Sequence, residues 1–247
     1  VAVINNFGGF YATWVYINEA RKAGAKIELP CVNKSTYTTT IYGDSIYLGF
    51  VHIGKLEQQT AKQIEEERNR NGEFLGFEDF VRRTYISLEQ LLILVRVNAL
   101  RFSGYSKKEL LWQAHLLLGK NAMVTHEPEM FYEPAKTFTL PPLEEEPTED
   151  VYDEIEIFGF PVSKTFFDLL ENEYDFSVSA QNLVKYVGST IKIIGNFVTS
   201  KWVGTSNGKT MSFGTWFDKD GNFFDTTHFP QQLQQYPFKG MGIYLIE

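Results

Sequence analysis

The apolar positions between residues 48 and 83 indicate two short helices separated by glycines. A short apolar strand enters a tight turn at Gly54, a helix follows, Gly72 ends that helix, and a second helix starts near Phe77. The apolar stripe of the first helix consists of Leu56, Ala61 and Ile64. Two small helices around a tight glycine turn form a helix-hairpin-helix, a shape whose turn can offer backbone N–H groups to a phosphate without reading any base.

Helical and hairpin patterns flank this stretch. Residues 10–23 read as a helix that ends at Gly24, and residues 36–51 alternate as a small β-hairpin does. Two capping boxes, Ser87 to Gln90 and Ser106 to Glu109, each open a helix with a buried face. We therefore expect a compact helical domain that follows the hairpin.

From residue 188 the apolar period changes to two, which predicts strands. Three strands follow one another, with a turn at Asp218 to Gly221 between the last two, and a short helix and a fourth strand come after them. This is the order of an OB-type barrel that lacks its fifth strand. The predicted fold class is α+β: a helical helix-hairpin-helix domain, then an acidic linker, then an incomplete OB-fold β-barrel.

The net charge of −8 over 247 residues is concentrated in one segment. Residues 1–126 carry +3, residues 127–175 carry −13 and residues 176–247 carry +2. The acidic, proline-rich segment reads as a linker, and the weakly basic flanks permit phosphate contact without demonstrating it. Because the sequence has one cysteine and no apolar run long enough to span a membrane, we expect a cytoplasmic protein.

Several motifs together resemble a known family, the C-family replicative DNA polymerases of bacteria, in the C-terminal portion of the alpha subunit of DNA polymerase III. The motifs are NNFGGFY (residues 5–11), YINEARKAGAKIELPCVNKS (16–35), YLGFVHIGKLEQQTAKQIEEERNRNGEF with FEDFVRR (47–83), EIEIFGFPVS (154–163) and GKTMSFGTWFDKDGNFFDTTHFP (208–230). The first residue is not Met, so we expect a segment of a longer protein.

The resemblance implies a division of the chain into five parts. They are the end of a fingers region (1–47), a helix-hairpin-helix DNA-binding domain (48–119), an acidic Pro-rich linker with a clamp motif (120–153), a connecting segment (154–187) and a truncated OB-fold (188–247).

The resemblance also implies what this chain does not do alone. The family's nucleotidyl transfer uses palm carboxylates that hold two Mg²⁺ ions, and those motifs lie upstream of the residues present here. We therefore expect no cofactor in this portion and no polymerase activity without the palm. The implied partners are DNA, as primed duplex and single strand, a sliding clamp and other subunits of the holoenzyme. A different class of function is a replisome protein-interaction module without significant DNA affinity.

Residues around the predicted turn are the first candidates for DNA contact. The candidates are Gly54, Lys55, Leu56, Lys62 and Arg68, with Arg82 and Arg83 as further positioning cations. In the family the turn has the form G-x-G or close to it, whereas Glu57 stands here where the second glycine is expected, and a carboxylate repels a phosphate. The alternative is a turn that is only structural, with solvated arginines.

A peptide in the linker is the candidate for clamp binding. The family carries there a glutamine followed by an aliphatic residue and Phe, and Met130 and Phe131 match its apolar end. Glu127 stands at the glutamine position, so the amide donor is lost. The alternative is that this peptide packs back onto the protein.

The predicted barrel supplies a third set of candidates, since single-strand binders combine cations with aromatic platforms. The outward-facing positions are Lys192, Trp202, Lys209 and Trp216. The alternative is that these rings belong to the core. A hydrolytic metal site is also conceivable from Asp218, Asp220, Asp225 and His228. Asp-x-Asp-Gly is far more often a hairpin turn, so we expect no metal there.

Overall fold

The computed structural model describes residues 1–119, 146 and 148–247. They form two compact units, which we call the helical unit (residues 1–5 and 26–163) and the sheet unit (residues 6–25 and 164–247). One unit is mostly helical and the other is built on an antiparallel sheet, so the predicted α+β class is confirmed.

The described helices are α1 (Ala2–Asn5), α2 (Thr13–Lys22), α3 (Gln58–Asn71), α4 (Phe77–Thr84), α5 (Leu88–Arg96), α6 (Lys107–Leu118), α7 (Glu149–Phe158) and α8 (Pro230–Gln235). The described strands are β1 (Lys26–Glu28), β2 (Thr40–Tyr42), β3 (Ser45–Tyr47), β4 (Ile193–Gly204), β5 (Thr210–Phe217), β6 (Phe223–His228) and β7 (Ile243–Ile246).

Local signals set the ends of the helices in the helical unit. Gly72 ends α3 with a φ of +82°, a value that favours glycine. Ser106 and Glu109 form the predicted capping box of α6, with the Ser106 amide donating to Glu109 Oε2 over 2.8 Å. These helices enclose one apolar core, whose fully buried large side chains include Phe50, Ile64, Phe74, Phe77, Phe80, Leu91, Leu94, Leu100 and Leu110.

A small sheet of order β1-β3-β2 precedes α3 in the helical unit. Strands β2 and β3 form the predicted hairpin, with Gly43 at a φ of +63° in its turn. The segment that enters the Gly54 turn is a 3-10 turn over Phe50–His52 and not the strand predicted for it. Phe50 is buried in the helical core, so apolar character there reflects burial rather than an extended backbone.

Helix α7 begins before the point where the sequence predicts that order resumes. It starts at Glu149, whereas the linker was predicted to run to residue 153. Acidic residues in its first turn complement the positive end of the helix dipole. Arg96 and Lys107 form ion pairs with Asp153, so part of the acidity assigned to a linker belongs to a packed helix face.

The sheet unit contains an antiparallel sheet of order β6-β5-β4-β7. Strands β4, β5 and β6 follow one another, and β7 returns to pair with β4 after α8. This is the strand order predicted for an incomplete OB-type barrel. Helix α2, which is distant in sequence, packs on this sheet: the Trp14 and Phe217 rings meet edge to face, 5.4 Å apart, and Asn18 donates to the Gly221 carbonyl.

Candidate nucleic-acid interface

The turn before α3 is closed by a backbone contact from α7. The Gly54 amide donates to the Ile157 carbonyl over 3.0 Å. A Cβ added at Gly54 would lie 2.6 Å from that carbonyl oxygen, so this position has no room for a side chain. Gly54 therefore allows close approach of two backbones, and its amide is directed to a protein acceptor rather than to solvent.

The left-handed residue of the turn is Lys55, not a glycine. Its φ is +64°, a conformation that costs a non-glycine residue about 1–2 kcal/mol. The buried Gln90 side chain holds both sides of this residue, because its Nε2 donates to the Lys55 carbonyl over 3.2 Å and its Oε1 accepts from the Glu57 amide over 2.8 Å. The Leu56 amide donates to Ile53 O over 3.3 Å. The amides of Gly54, Leu56 and Glu57 thus all have protein acceptors.

The polar surface beside the turn consists of the Lys55 side chain and the first turns of α3. Glu57 is the N-cap of α3 and makes no side-chain cap bond. A cleft at this end of the helix is lined by Gln58, Gln59, Lys62, Gln63 and Glu66. Within the described part of the chain, neither Lys55 nor Lys62 forms an ion pair, and both are exposed.

The Glu156 carboxylate interacts electrostatically with Lys55. A hydrogen bond from Arg96 holds the pKa of the Glu156 carboxyl below its usual value, and the charge of Lys55 acts in the same direction. Glu57 and Glu156 therefore reduce the positive potential at the turn, so phosphate contact there rests on few cations.

The arginines near the turn serve the fold. Arg68 donates to the carbonyls of Val32 and Ser35 over 2.6 and 2.7 Å. Arg83 pairs with Glu67 and Asp79, both at 3.0 Å, and its guanidinium lies 4.5 Å from the centre of the Phe74 ring. Arg82 is exposed, and among the described residues it forms an ion pair with Asp79 alone.

In the sheet unit the two tryptophans proposed as stacking platforms differ in exposure. Trp216 is fully buried and its Nε1 donates to Thr226 Oγ1 over 2.6 Å, so its assignment as an outward-facing position was wrong. Trp202 is 54% exposed and its ring lies 6.1 Å from that of Phe238. Trp202 therefore keeps a face that a base can reach.

The two candidate lysines of the sheet unit lie on its surface. Lys192 pairs with Glu247 at 3.8 Å, and both side chains are largely exposed. Lys209 closes the β4–β5 turn, where its carbonyl accepts from the Thr205 amide over 2.7 Å. Both side chains remain accessible to a ligand, because an exposed ion pair such as that of Lys192 is weak and Lys209 is exposed.

The acidic turn of the sheet unit is structural. Asp218 is buried and accepts from the amides of Asp220, Asn222 and Ala180, at 3.0, 2.8 and 3.0 Å. Among the described residues, no group of His, Cys, Asp or Glu side chains is arranged to hold a metal ion. Asp225 bonds Thr215 instead, as expected for a hairpin surface.

The clamp-motif residues Glu127, Met130 and Phe131 lie outside the described residues. In the part of the chain that the structure describes, no helix is long and apolar enough to cross a membrane.

Comparison with known proteins agrees with the motifs. Residues 24–110 match the family described as "Helix-hairpin-helix motif". The chain is 28% identical over 244 residues to DNA polymerase III subunit alpha of Staphylococcus aureus (strain N315), which covers 94% of this chain and 22% of that protein. The chain is therefore similar to a portion of the alpha subunit of bacterial DNA polymerase III. The predicted resemblance is confirmed.

Two further relatives delimit the similarity. The alpha subunit of Aquifex aeolicus is 28% identical over 214 residues, 83% of this chain and 17% of that protein. The "Error-prone DNA polymerase" of Mycobacterium tuberculosis (strain ATCC 25618 / H37Rv) is 32% identical over 108 residues, 43% of this chain and 10% of that protein. The matched part of the chain thus covers between 10% and 22% of the length of these three polymerases.

Gln90 and Ile157 were missed as parts of the turn. Gln90 stands at the position that a capping box reserves for Gln or Glu, and the Ser87 side chain does accept from the Gln90 amide. The Gln90 side chain does not complete that box, because it bonds Lys55 and Glu57 instead. A backbone carbonyl such as that of Ile157 leaves no signal in the sequence.

Proposed function

We propose that this chain is a DNA-holding portion of a bacterial replicative DNA polymerase of the polymerase III alpha type. It would position the primed template for synthesis by palm residues that lie elsewhere in such a polymerase. The observation that carries the proposal is the exposure of Lys55 and Lys62 beside the start of α3, where neither forms an ion pair with another described residue, within a segment that matches the helix-hairpin-helix family. The similarity to the alpha subunits supports the same conclusion.

Lys55 and Lys62 would contact the phosphate backbone as point charges, aided by the positive end of the α3 dipole. The single-strand contact would use Trp202 as a stacking surface with Lys209 and Lys192 as cations. Each contact is weak alone, but contacts on one chain raise the effective concentration of the others. Modest affinity suits a segment whose task is to lower the dissociation rate of a larger enzyme.

A fluorescence titration of a labelled primed oligonucleotide tests this proposal. Binding is measured at about 50 and 200 mM salt, where each lysine–phosphate contact contributes roughly a threefold loss of affinity. We expect Lys55→Gln and Lys62→Gln each to weaken binding and to reduce the salt slope by about one ion.

Lys26→Gln is the matched control, because Lys26 lies on β1, is 68% exposed and pairs with Asp44. The control should leave both affinity and slope unchanged. If the unsubstituted chain does not bind at either salt concentration, the proposal fails and the interaction-module alternative replaces it.

We also propose that the peptide containing Glu127, Met130 and Phe131 binds the sliding clamp. An apolar Met-Phe pair within an acidic, proline-rich tract supports this. We expect Phe131→Ala to reduce clamp binding in a pull-down and to leave DNA binding unchanged. Equal loss of both activities would contradict the separation. Contacts with other holoenzyme subunits, a cytoplasmic location and Mg²⁺ in the palm belong to the same proposal.

A further inference from the structure

We infer that Gln90 is a positioning residue that fixes the direction of the Lys55 side chain for phosphate contact. The inference rests on the proposed function and adds a buried residue that makes no contact with DNA itself. It starts from the conformation of Lys55, which is the left-handed residue of the turn. Without restraint, a lysine in this position relaxes to a negative φ, and its side chain then leaves in a different direction.

Two hydrogen bonds from one side chain oppose that relaxation. Gln90 Nε2 binds the carbonyl of Lys55 and Gln90 Oε1 binds the amide of Glu57, so the amide group of one side chain spans the turn. Gln90 is 5% exposed and lies on α5, a helix whose other buried residues, Leu91, Ile93, Leu94 and Val95, belong to the core. The anchor therefore has a fixed position relative to the helical unit.

The other side of the turn is fixed by backbone. The Ile157 carbonyl holds the Gly54 amide, and Leu56 packs partly buried against the core. In the turn, the Gly54 amide and the Leu56 side chain thus contact the protein, and Glu57 is the N-cap of α3. Lys55 is left as the cation that the turn presents, and an immobilised backbone lowers the entropy cost of its binding.

The role of Gln90 predicts coupling between Gln90 and Lys55 in DNA affinity. Gln90→Met retains the approximate shape and removes both hydrogen bonds. We expect this variant to bind the labelled primed oligonucleotide about 3- to 10-fold more weakly, with a smaller salt slope. In the Gln90→Met background, Lys55→Gln should lower affinity by less than about twofold, whereas Lys62→Gln should keep its full effect.

Asn33→Leu is the matched control. Asn33 is 9% exposed, and its side-chain amide donates to the Phe74 carbonyl over 2.9 Å and accepts from the Phe74 amide over 2.8 Å. This variant also loses two hydrogen bonds between a buried side-chain amide and the backbone, but at Phe74 and not at the turn, so it should leave the effect of Lys55→Gln unchanged. Amide hydrogen exchange gives a readout without DNA: Glu57 should lose protection in Gln90→Met while Gly54 retains it.

Gln90→Asn provides a second variant in case Gln90→Met does not fold. Its side chain is neutral and one methylene shorter, so it cannot reach both the Lys55 carbonyl and the Glu57 amide, and the loss of affinity should approach that expected for Gln90→Met. Equal effects of Lys55→Gln in the Gln90 variants and in the unsubstituted chain overturn the inference while DNA binding stands. Absence of salt-sensitive binding by the unsubstituted chain refutes the proposed function and removes the basis of the inference.

Discussion

The buried histidine of the helical unit should make the protein less stable in mild acid. His52 is 9% exposed, and its Nε2 lies 3.0 Å from Thr39 Oγ1. The same hydroxyl accepts from the Gly49 amide over 3.1 Å, so its own proton can serve a neutral imidazole. Burial lowers the pKa of His52 to about 4, from 6.5.

The sign of the effect follows from proton uptake. Between pH 6.5 and pH 4 the unfolded chain binds a proton at His52 and the folded chain does not, so the free energy of unfolding falls as pH falls. Over the window from about pH 7.5 to pH 5.0, this amounts to about 2 kcal/mol. Burial also lowers the pKa of His228, which acts in the same direction within the sheet unit.

Urea unfolding followed by circular dichroism at 222 nm measures this loss, because most of the described α-helices lie in the helical unit. The matched variant is His52→Gln, which does not titrate. We expect the fall in stability between the two pH values to be about 2 kcal/mol smaller in the variant. NMR should also show no titration of the His52 ring in this window. A ring that titrates near pH 6.5, or an equal pH dependence in both proteins, would refute the reasoning.

Two pairs of variants test the structure around the hairpin. Arg83→Met should cost roughly 2–3 kcal/mol of stability in urea unfolding, because it leaves Glu67 and Asp79 without a largely buried partner, while Arg82→Met at an exposed pair should cost under about 1 kcal/mol. Equal losses would show that burial does not set the strength of this network. Gly54→Ala should cost about 1–3 kcal/mol because its Cβ meets a carbonyl, while Gly204→Ala has open space and should stay within about 0.5 kcal/mol. If Gly54→Ala left the free energy of unfolding unchanged, α7 would have to shift away from the added methyl group at little cost.

Elements that depend on neighbours in sequence were predicted correctly. The stop of α3 at Gly72 and the capping box of Ser106 and Glu109 need only a few adjacent residues. The three successive strands of the sheet unit were predicted for the same reason, since the period of two persists within each strand.

The faces of the strands were harder to predict because the period changes phase. Phe197 and Trp202 are five residues apart, yet both share a face with Trp216, because the ladder is irregular between Phe197 and Thr199. Strand β5 is also apolar on both faces, because Phe217 on one face and Trp216 on the other are both buried. Alternation alone therefore could not show that Trp216 belongs to the core.

The candidate site was predicted in part. The sequence pointed to the turn and to the lysines beside it, since glycine and charge are local signals. It did not reveal that the Arg68 guanidinium binds the Val32 and Ser35 carbonyls, or that Gln90 supports the turn. These contacts join residues about 30 positions or more apart, and several polar partners would be equally plausible in an unfolded chain.

The membership of α2 in the sheet unit has a consequence for synthesis on the ribosome. Residues 6–25 emerge about 140 positions before residue 164, where the rest of their unit begins. At roughly 5–20 residues per second, α2 waits about 7–28 s before the rest of its unit begins to emerge, and Val15 and Ile17, which are buried in the folded protein, stay uncovered by that unit for at least this time. The helical unit can complete its core during that interval. The sheet unit therefore matures after the helical unit, and until then the nascent chain carries an uncovered apolar helix that a chaperone can recognise.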